Sequence, residues 1–196
     1  MLPPIKAILD PKAALRARMR AERKAITEGT GAEILPQHAA ANFVTKIDIP
    51  ENACVALYYP IDSELDTEPL LDLLQERQID IALPRVIRRN APLEFKTFRA
   101  GDPMSKDKKG ILAPTDNAET VRPTIILTPL LAFTAKGERL GYGGGYYDRT
   151  LEELRAIRPV LAVGYAFAKQ EVDSLPRDQH DQRLDWVVTE RGAVKV

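Results

Sequence analysis

The residues best suited to chemistry lie in one run, Arg139-Leu140-Gly141-Tyr142-Gly143-Gly144-Gly145-Tyr146-Tyr147-Asp148, followed by a helix-like segment over 149–155. Four glycines between an apolar run and a helix give a backbone that turns sharply and brings its N–H groups against a ligand with no Cβ in the way. The positive end of the following helix points at the same spot, so the ligand chemistry that fits is a phosphate. A turn that merely reverses the chain would have the same composition. Two common phosphate loops are excluded by spelling. The G-x-x-x-x-G-K-[ST] loop needs Lys-Ser/Thr where Tyr146-Tyr147 stand, and the dinucleotide fingerprint G-x-G-x-x-G lacks its third glycine because Tyr146 occupies that place.

Two aspartates accompany this loop: Asp148 in the first turn of the helix, and Asp181 in Arg177-Asp-Gln-His-Asp181. Mg²⁺ takes one or two carboxylates together with phosphate oxygens and water, so a carboxylate beside a phosphate loop suits it. The alternatives are a helix N-terminal acid for Asp148 and a solvated loop acid for Asp181. The only histidines, His38 and His180, have neither triad nor zinc-ligand spacing. Tyr59 and Glu64 flank a loop after a buried strand, where a ring can stack on a flat heterocycle and a carboxylate can accept from a ring N–H. Core packing and helix capping are their structural alternatives.

The elements that must position these groups follow from periodicity. Pro11 opens a helix over 12–26 capped by Asp10, with Lys12, Arg16, Arg20 and Lys24 on one face and a thinner apolar stripe of Leu15, Met19 and Ile26. A second helix is expected over 32–46 and a third over 67–77. Buried strands are expected at 54–59, 79–83, 124–127, 160–165 and 186–189, and a more exposed, alternating strand at 93–98. Residues 101–119, rich in Asp, Lys, Gly and Pro, read as an irregular, partly mobile loop, and residues 1–10 as a flexible leader. Apolar strands alternating with helices give an α/β class: one domain over 1–196, a mostly parallel sheet with helices on both faces, and a ligand crevice beyond the strands' carboxyl ends.

The chain has 196 residues, with 28 Lys plus Arg against 28 Asp plus Glu, so no net field draws it to nucleic acid. One cysteine, Cys54, sits in an apolar run and reads as a buried small hydrophobe. A single thiol favours a reducing, cytoplasmic location, and no run suits a signal peptide or a membrane span. Two readings remain besides an enzyme: a catalytically silent ligand sensor on the same fold, and a nucleic-acid binder using the Lys12–Lys24 stripe.

Gly137-x-Arg139-Leu-Gly-Tyr-Gly-Gly-Gly-Tyr-Tyr-Asp148-Arg, preceded by Pro129-Leu-Leu-Ala-Phe133, closely resembles the signature of the 5-formyltetrahydrofolate cyclo-ligase family. Lys12-Ala-Ala-Leu-Arg16, Tyr59-Pro-x-x-x-Glu64-x-Asp66-Thr67, Leu83-Pro84-Arg85-Val86, Gly110-Ile-Leu and His180-Asp181 resemble further landmarks of that family in the same order. The resemblance implies ATP and Mg²⁺ as cosubstrate and cofactor and 5-formyltetrahydrofolate as substrate. It places ATP on Lys12, Arg16, Arg139, Leu140, Gly141, Tyr142, Gly143, Gly144, Gly145, Tyr146 and Tyr147, the metal on Asp148 and Asp181, folate on Tyr59 and Glu64, and catalytic roles on Arg139 and Tyr147. Small-molecule partners, with no nucleic acid or membrane, are expected, and a monomer is the expected form. Thr134 stands where many members carry Asp, Ala113 replaces a common Glu, and Phe98 stands where some members carry Trp.

Overall fold

The computed structural model describes residues 10–176 and 178–196; the expected leader, apart from Asp10, and Arg177 lie outside them. Helix α1 (Pro11–Thr27) begins where Pro11 can tolerate having no amide and where the Asp10 carboxylate accepts from the Ala13 N–H at 3.1 Å. The expected second helix splits into a 3-10 turn, Ala32–Ile34, and α2 (Leu35–Lys46), with Pro36 in the first turn of α2. Pro36 is preorganised for a helix start and cannot donate to the preceding turn, which accounts for the break. After these come β1 (Cys54–Ala56), α3 (Glu68–Glu76), β2 (Asp80–Arg85) and β3 (Glu94–Thr97). Strands β4 (Met104–Lys106), β5 (Leu112–Pro114), β6 (Thr120–Val121), β7 (Ile125–Thr128), β8 (Ala132–Phe133) and β9 (Arg139–Leu140) follow. The chain closes with α4 (Tyr146–Arg155), β10 (Leu161–Tyr165), β11 (Trp186–Thr189) and β12 (Gly192–Lys195).

The main sheet has eight strands in the order β12-β11-β10-β7-β1-β2-β3-β6, with the run from β11 to β2 parallel and the outer strands antiparallel. Helices cover both faces, as expected. Alternate residues divide between two cores: Val55, Leu57, Ile125, Leu127 and Val163 meet Phe43 of α2 and Leu70 and Leu74 of α3, whereas Ala56, Ile126 and Ala162 meet Leu151 and Leu154 of α4. That period of two, apolar on both sides, is why these strands read as continuous hydrophobic runs. Strand order reverses direction between β1 and β7, because the chain leaves β1 outward to β2 and returns on its other side. Such a switch point opens a crevice at the carboxyl ends of the two strands.

Besides the split helix, β1 ends at Ala56 rather than Tyr59, β6 and β12 are additional strands, and two hairpins differ from expectation. Residues 101–119 hold an ordered hairpin, β4 with β5, not an irregular loop. Its turn is tied down by the Asp107 carboxylate, which accepts from the N–H groups of Val86 at 3.0 Å, Lys109 at 2.7 Å and Ile111 at 3.1 Å. Side-chain to backbone bonds of this kind leave no hydrophobic period in the sequence. The second difference is the β8–β9 hairpin, whose two-residue strands are too short to read from periodicity. It matters because Arg139 and Leu140 are its second strand and the glycine loop leaves directly from it. Leu131, Ala132 and Leu140 pack with Met19 of α1, so the first helix is fastened to the hairpin that carries the loop. Cys54 is half-buried, and burial with the nearby Asp80 pushes its thiol up to about 11, so it stays protonated at neutral pH.

Candidate functional site

At the switch point lies a cleft of about 1150 Å³. Tyr58 and Tyr59 enter it from the end of β1, Pro129 from the end of β7, and the glycine loop from the β8–β9 hairpin. Every residue singled out from the sequence lines this one cleft: Lys12 and Arg16 of α1, Tyr59 and Glu64, Arg139 through Tyr147, and the two aspartates.

The loop has the geometry its glycines suggest. Gly143 (φ 93°) and Gly145 (φ 64°) occupy the left-handed region. Gly145 caps α4 without a side-chain bond, and the N–H groups of residues 143–147 find no acceptor among the described residues. Unpaired amides at the start of a ten-residue helix, facing a cleft, form an anion cradle. Arg16 Nε donates to the Gly141 carbonyl at 3.0 Å, and its guanidinium lies where a Cβ on Gly143 would press. The basic stripe on α1 is therefore largely spent on the site. Lys12 holds the Asp181 loop, Arg16 holds Gly141, and Arg20 covers the Tyr142 ring with its guanidinium 5.2 Å from the centroid; only Lys24 turns to an exposed neighbour, Glu28.

Arg139, with 4 % of its side chain exposed, donates to Asp148 Oδ1 at 2.6 Å, and its Nε is buried with no partner. Burial lowers the Arg139 pKa while Asp148 and Asp181 raise it; a guanidinium remains charged regardless. The Arg139 guanidinium thus lies under the cleft lining with one donor unmatched among the described residues. Asp148 Oδ1 also accepts from the Gln182 N–H at 3.0 Å, and Asp181 Oδ2 accepts from Lys12 Nζ at 2.8 Å and the Asp178 N–H at 2.8 Å. Although burial pushes the Asp181 carboxyl up, these donors outweigh it and hold the group below its ordinary range. In each carboxylate the second oxygen takes no hydrogen bond from the described residues. Those two oxygens, beside an anion cradle, fit the hard, oxygen-only ligation of Mg²⁺, which needs only one or two carboxylates when phosphate oxygens and water complete the shell. No group of three or more His, Cys, Asp or Glu forms a cage among the described residues.

The part of the cleft around Tyr59 and Glu64 is built from side chains. Tyr59 is 41 % exposed, whereas Glu64 is 8 % exposed and accepts from the Ile61 N–H at 2.9 Å. Burial raises the Glu64 pKa against the lowering effects of that amide, Tyr142 and Arg23. Tyr147 and Tyr142 are both pushed up by burial and then by the Glu64 charge, so each keeps its phenolic proton.

Sequence reasoning missed Arg23, which is 1 % exposed on the apolar side of α1. The available signal was a charged residue at the register of Met19 and Ile26. It also missed Lys109 and Arg149, which flank the Tyr146 ring with their cationic groups 5.6 and 5.4 Å from its centroid. The three departures sit away from the chemistry. Thr134 is buried and donates to Glu138 in the β8–β9 turn, Ala113 is buried in β5, and Phe98 packs on the main core and leaves the cleft wall without its ring.

A profile of the 5-formyltetrahydrofolate cyclo-ligase family matches residues 9–190. A protein of that name from Haemophilus influenzae is 34 % identical over 179 residues, covering 86 % of this chain and 94 % of the relative. One from Escherichia coli is 33 % identical over 176 residues, covering 87 % and 96 %. The solution structure of 5,10-methenyltetrahydrofolate synthetase from Aquifex aeolicus superposes with a TM-score of 0.77 at 28 % identity, covering 94 % of this chain and 92 % of that one.

Proposed function

The chain belongs to the 5-formyltetrahydrofolate cyclo-ligase family, and from that premise and the geometry of the cleft we propose that it converts 5-formyltetrahydrofolate and ATP to 5,10-methenyltetrahydrofolate, ADP and phosphate. The observation that carries the reading is the convergence of two walls of different chemistry on one cleft. Unpaired amides and buried cations suit a triphosphate, and an exposed ring beside a buried carboxylate suits a pterin.

The reaction needs no protein nucleophile. The N5-formyl oxygen bonds to the γ-phosphorus as the bond to the ADP oxygen breaks. N10 then bonds to the formyl carbon, the carbon–oxygen bond breaks to release phosphate, and the N10 proton is lost to give the methenyl cation. Positioning and charge stabilisation dominate phosphoryl transfer of this kind. The amides of residues 143–147 would hold the phosphate tail, with Lys12 and Arg16 neutralising it from α1. The Arg139 guanidinium would face the transferring group, and the protonated Tyr147 hydroxyl would donate to the charge that develops there. Glu64 would accept from the pterin, and Tyr59 would stack on it. Asp148 and Asp181 would hold Mg²⁺, which when bound supplies further positive charge to the phosphate oxygens. Two small substrates meeting in one chain's cleft call for no second subunit, so a monomer acting in the cytoplasm is the form we expect. Among the described residues no helix is long and apolar enough to cross a membrane.

Purified protein supplied with 5-formyltetrahydrofolate should show the absorbance of the methenyl product only when ATP and Mg²⁺ are both present. Absence of product with both, or equal product without ATP, overturns the proposal.

A further inference from the structure

The two walls are joined by a single buried cation. Arg23 sends Nε to the Ser63 hydroxyl at 3.1 Å, Nη1 to the Leu130 carbonyl at 3.3 Å and Nη2 to the Tyr142 hydroxyl. Ser63 is next to Glu64 on the proposed folate wall; Tyr142 belongs to the glycine loop; Leu130 follows the end of β7. The Tyr142 ring is gripped as well, with the guanidinium carbons of Arg20 and Arg23 5.2 and 5.4 Å from its centroid. Glu64 is buried and close enough to Arg23 and Tyr142 for both to act on its charge. A guanidinium 1 % exposed carries a large desolvation cost, and here its hydrogen-bond acceptors are all neutral oxygens. Fold stability alone would be served as well by an apolar side chain continuing the Met19 stripe.

We propose that Arg23 is a positioning residue that couples the two ligands. By holding Tyr142 and Ser63 at once, it makes the glycine loop and the Tyr59–Glu64 loop settle together, so that a ligand on either wall favours the other. Arg23 does not itself line the cleft and acts only through Tyr142 and Glu64. The loop position that suits the nucleotide is also the one that places the Tyr142 hydroxyl toward Glu64. Occupancy of one wall therefore prepays part of the ordering required at the other, and by linkage the effect is reciprocal. This inference rests on the nucleotide-and-folate reading of the cleft given above.

The test measures the Kd of a non-hydrolysable ATP analogue, with Mg²⁺, in the absence of and at saturating 5-formyltetrahydrofolate. Wild type is expected to bind the analogue about five-fold or more tighter with folate present, the lower end of ordinary coupling. Arg23→Gln should reduce that ratio to below about two-fold while the Kd without folate moves little, and Arg23→Lys should restore part of it by retaining charge but not the fork. Tyr142→Phe, which removes only the hydroxyl, should also lower the ratio, and it decides the matter if Arg23→Gln does not fold. An unchanged ratio in Tyr142→Phe and in folded Arg23→Gln overturns the proposal. Independent binding of both ligands in wild type overturns it while leaving the cyclo-ligase reading intact; failure of wild type to bind either ligand removes that reading instead.

Discussion

On the wall proposed for the nucleotide, the groups facing the cleft are mainly backbone amides of residues 143–147, fixed by left-handed glycines and by the start of α4. On the wall proposed for folate they are side chains, with Tyr59 open to solvent and Glu64 buried beside Arg23 and Tyr142. A backbone cradle is preorganised whatever its side chains are, and it is sensitive only to changes that add a Cβ or move the helix. A side-chain wall depends on burial and on neighbours contributed by distant segments. The first kind of site should lose ligand affinity without much effect on folding, and the second should trade stability against binding.

The sharpest way to break that contrast is at Asp148, where the cradle meets the charged groups. Asp148→Asn keeps an acceptor for Gln182 but removes the charge opposite Arg139, and kcat is expected to fall by roughly 100-fold or more with a much smaller relative loss in a thermal melt. Equal losses would make Asp148 a structural residue. Gly143→Ala forces a side chain into φ 93° and sets its Cβ 3.2 Å from the Arg16 guanidinium carbon. The KM for ATP should rise about ten-fold, and that for folate by no more than the coupling factor of about five-fold; a larger rise for folate than for ATP would overturn the contrast between the walls.

Glu64→Gln tests the opposite wall. Because the folded Glu64 pKa is raised, its contribution to stability is complete below 4.5 and is lost as pH rises through the folded value. The variant should therefore melt above wild type at neutral pH while kcat/KM for folate falls about five-fold. A lower melting temperature would show that the carboxylate is a net stabiliser. The smallest effect belongs to the Lys12 clamp. Asp181 is held below its ordinary 3.8, so the clamp contributes above that pH and fades as pH falls through the folded value. Melts of wild type and Lys12→Met should differ slightly at neutral pH and converge in acid; a constant difference would assign Lys12 a packing role.

Much of the cradle was legible because its requirements are local: glycines where φ must be positive, and an acid in the first helical turn. The central strands were legible because residues such as Val55 and Ala56 are apolar toward two cores at once. Arg23 was not, since its partners lie at Ser63, Leu130 and Tyr142 and only the folded chain brings them together. Nor was the β4–β5 hairpin, whose Asp, Lys, Gly and Pro content signals irregularity while a carboxylate and the Arg85–Asp116 pair at 2.7 Å order it.

The Asp107 carboxylate that gathers three amides has a kinetic corollary. Residues 107–111 lie at the rim of the molecule, where backbone hydrogens ordinarily trade with solvent within moments, yet those of Val86, Lys109 and Ile111 share one acceptor group. In deuterated buffer these three hydrogens should be retained together with those of Asp107, Lys108 and Gly110, which donate to the backbone carbonyls of Ile111, Val86 and Asp107, and the set should be released together, because freeing any one of them loosens the groups that secure the rest.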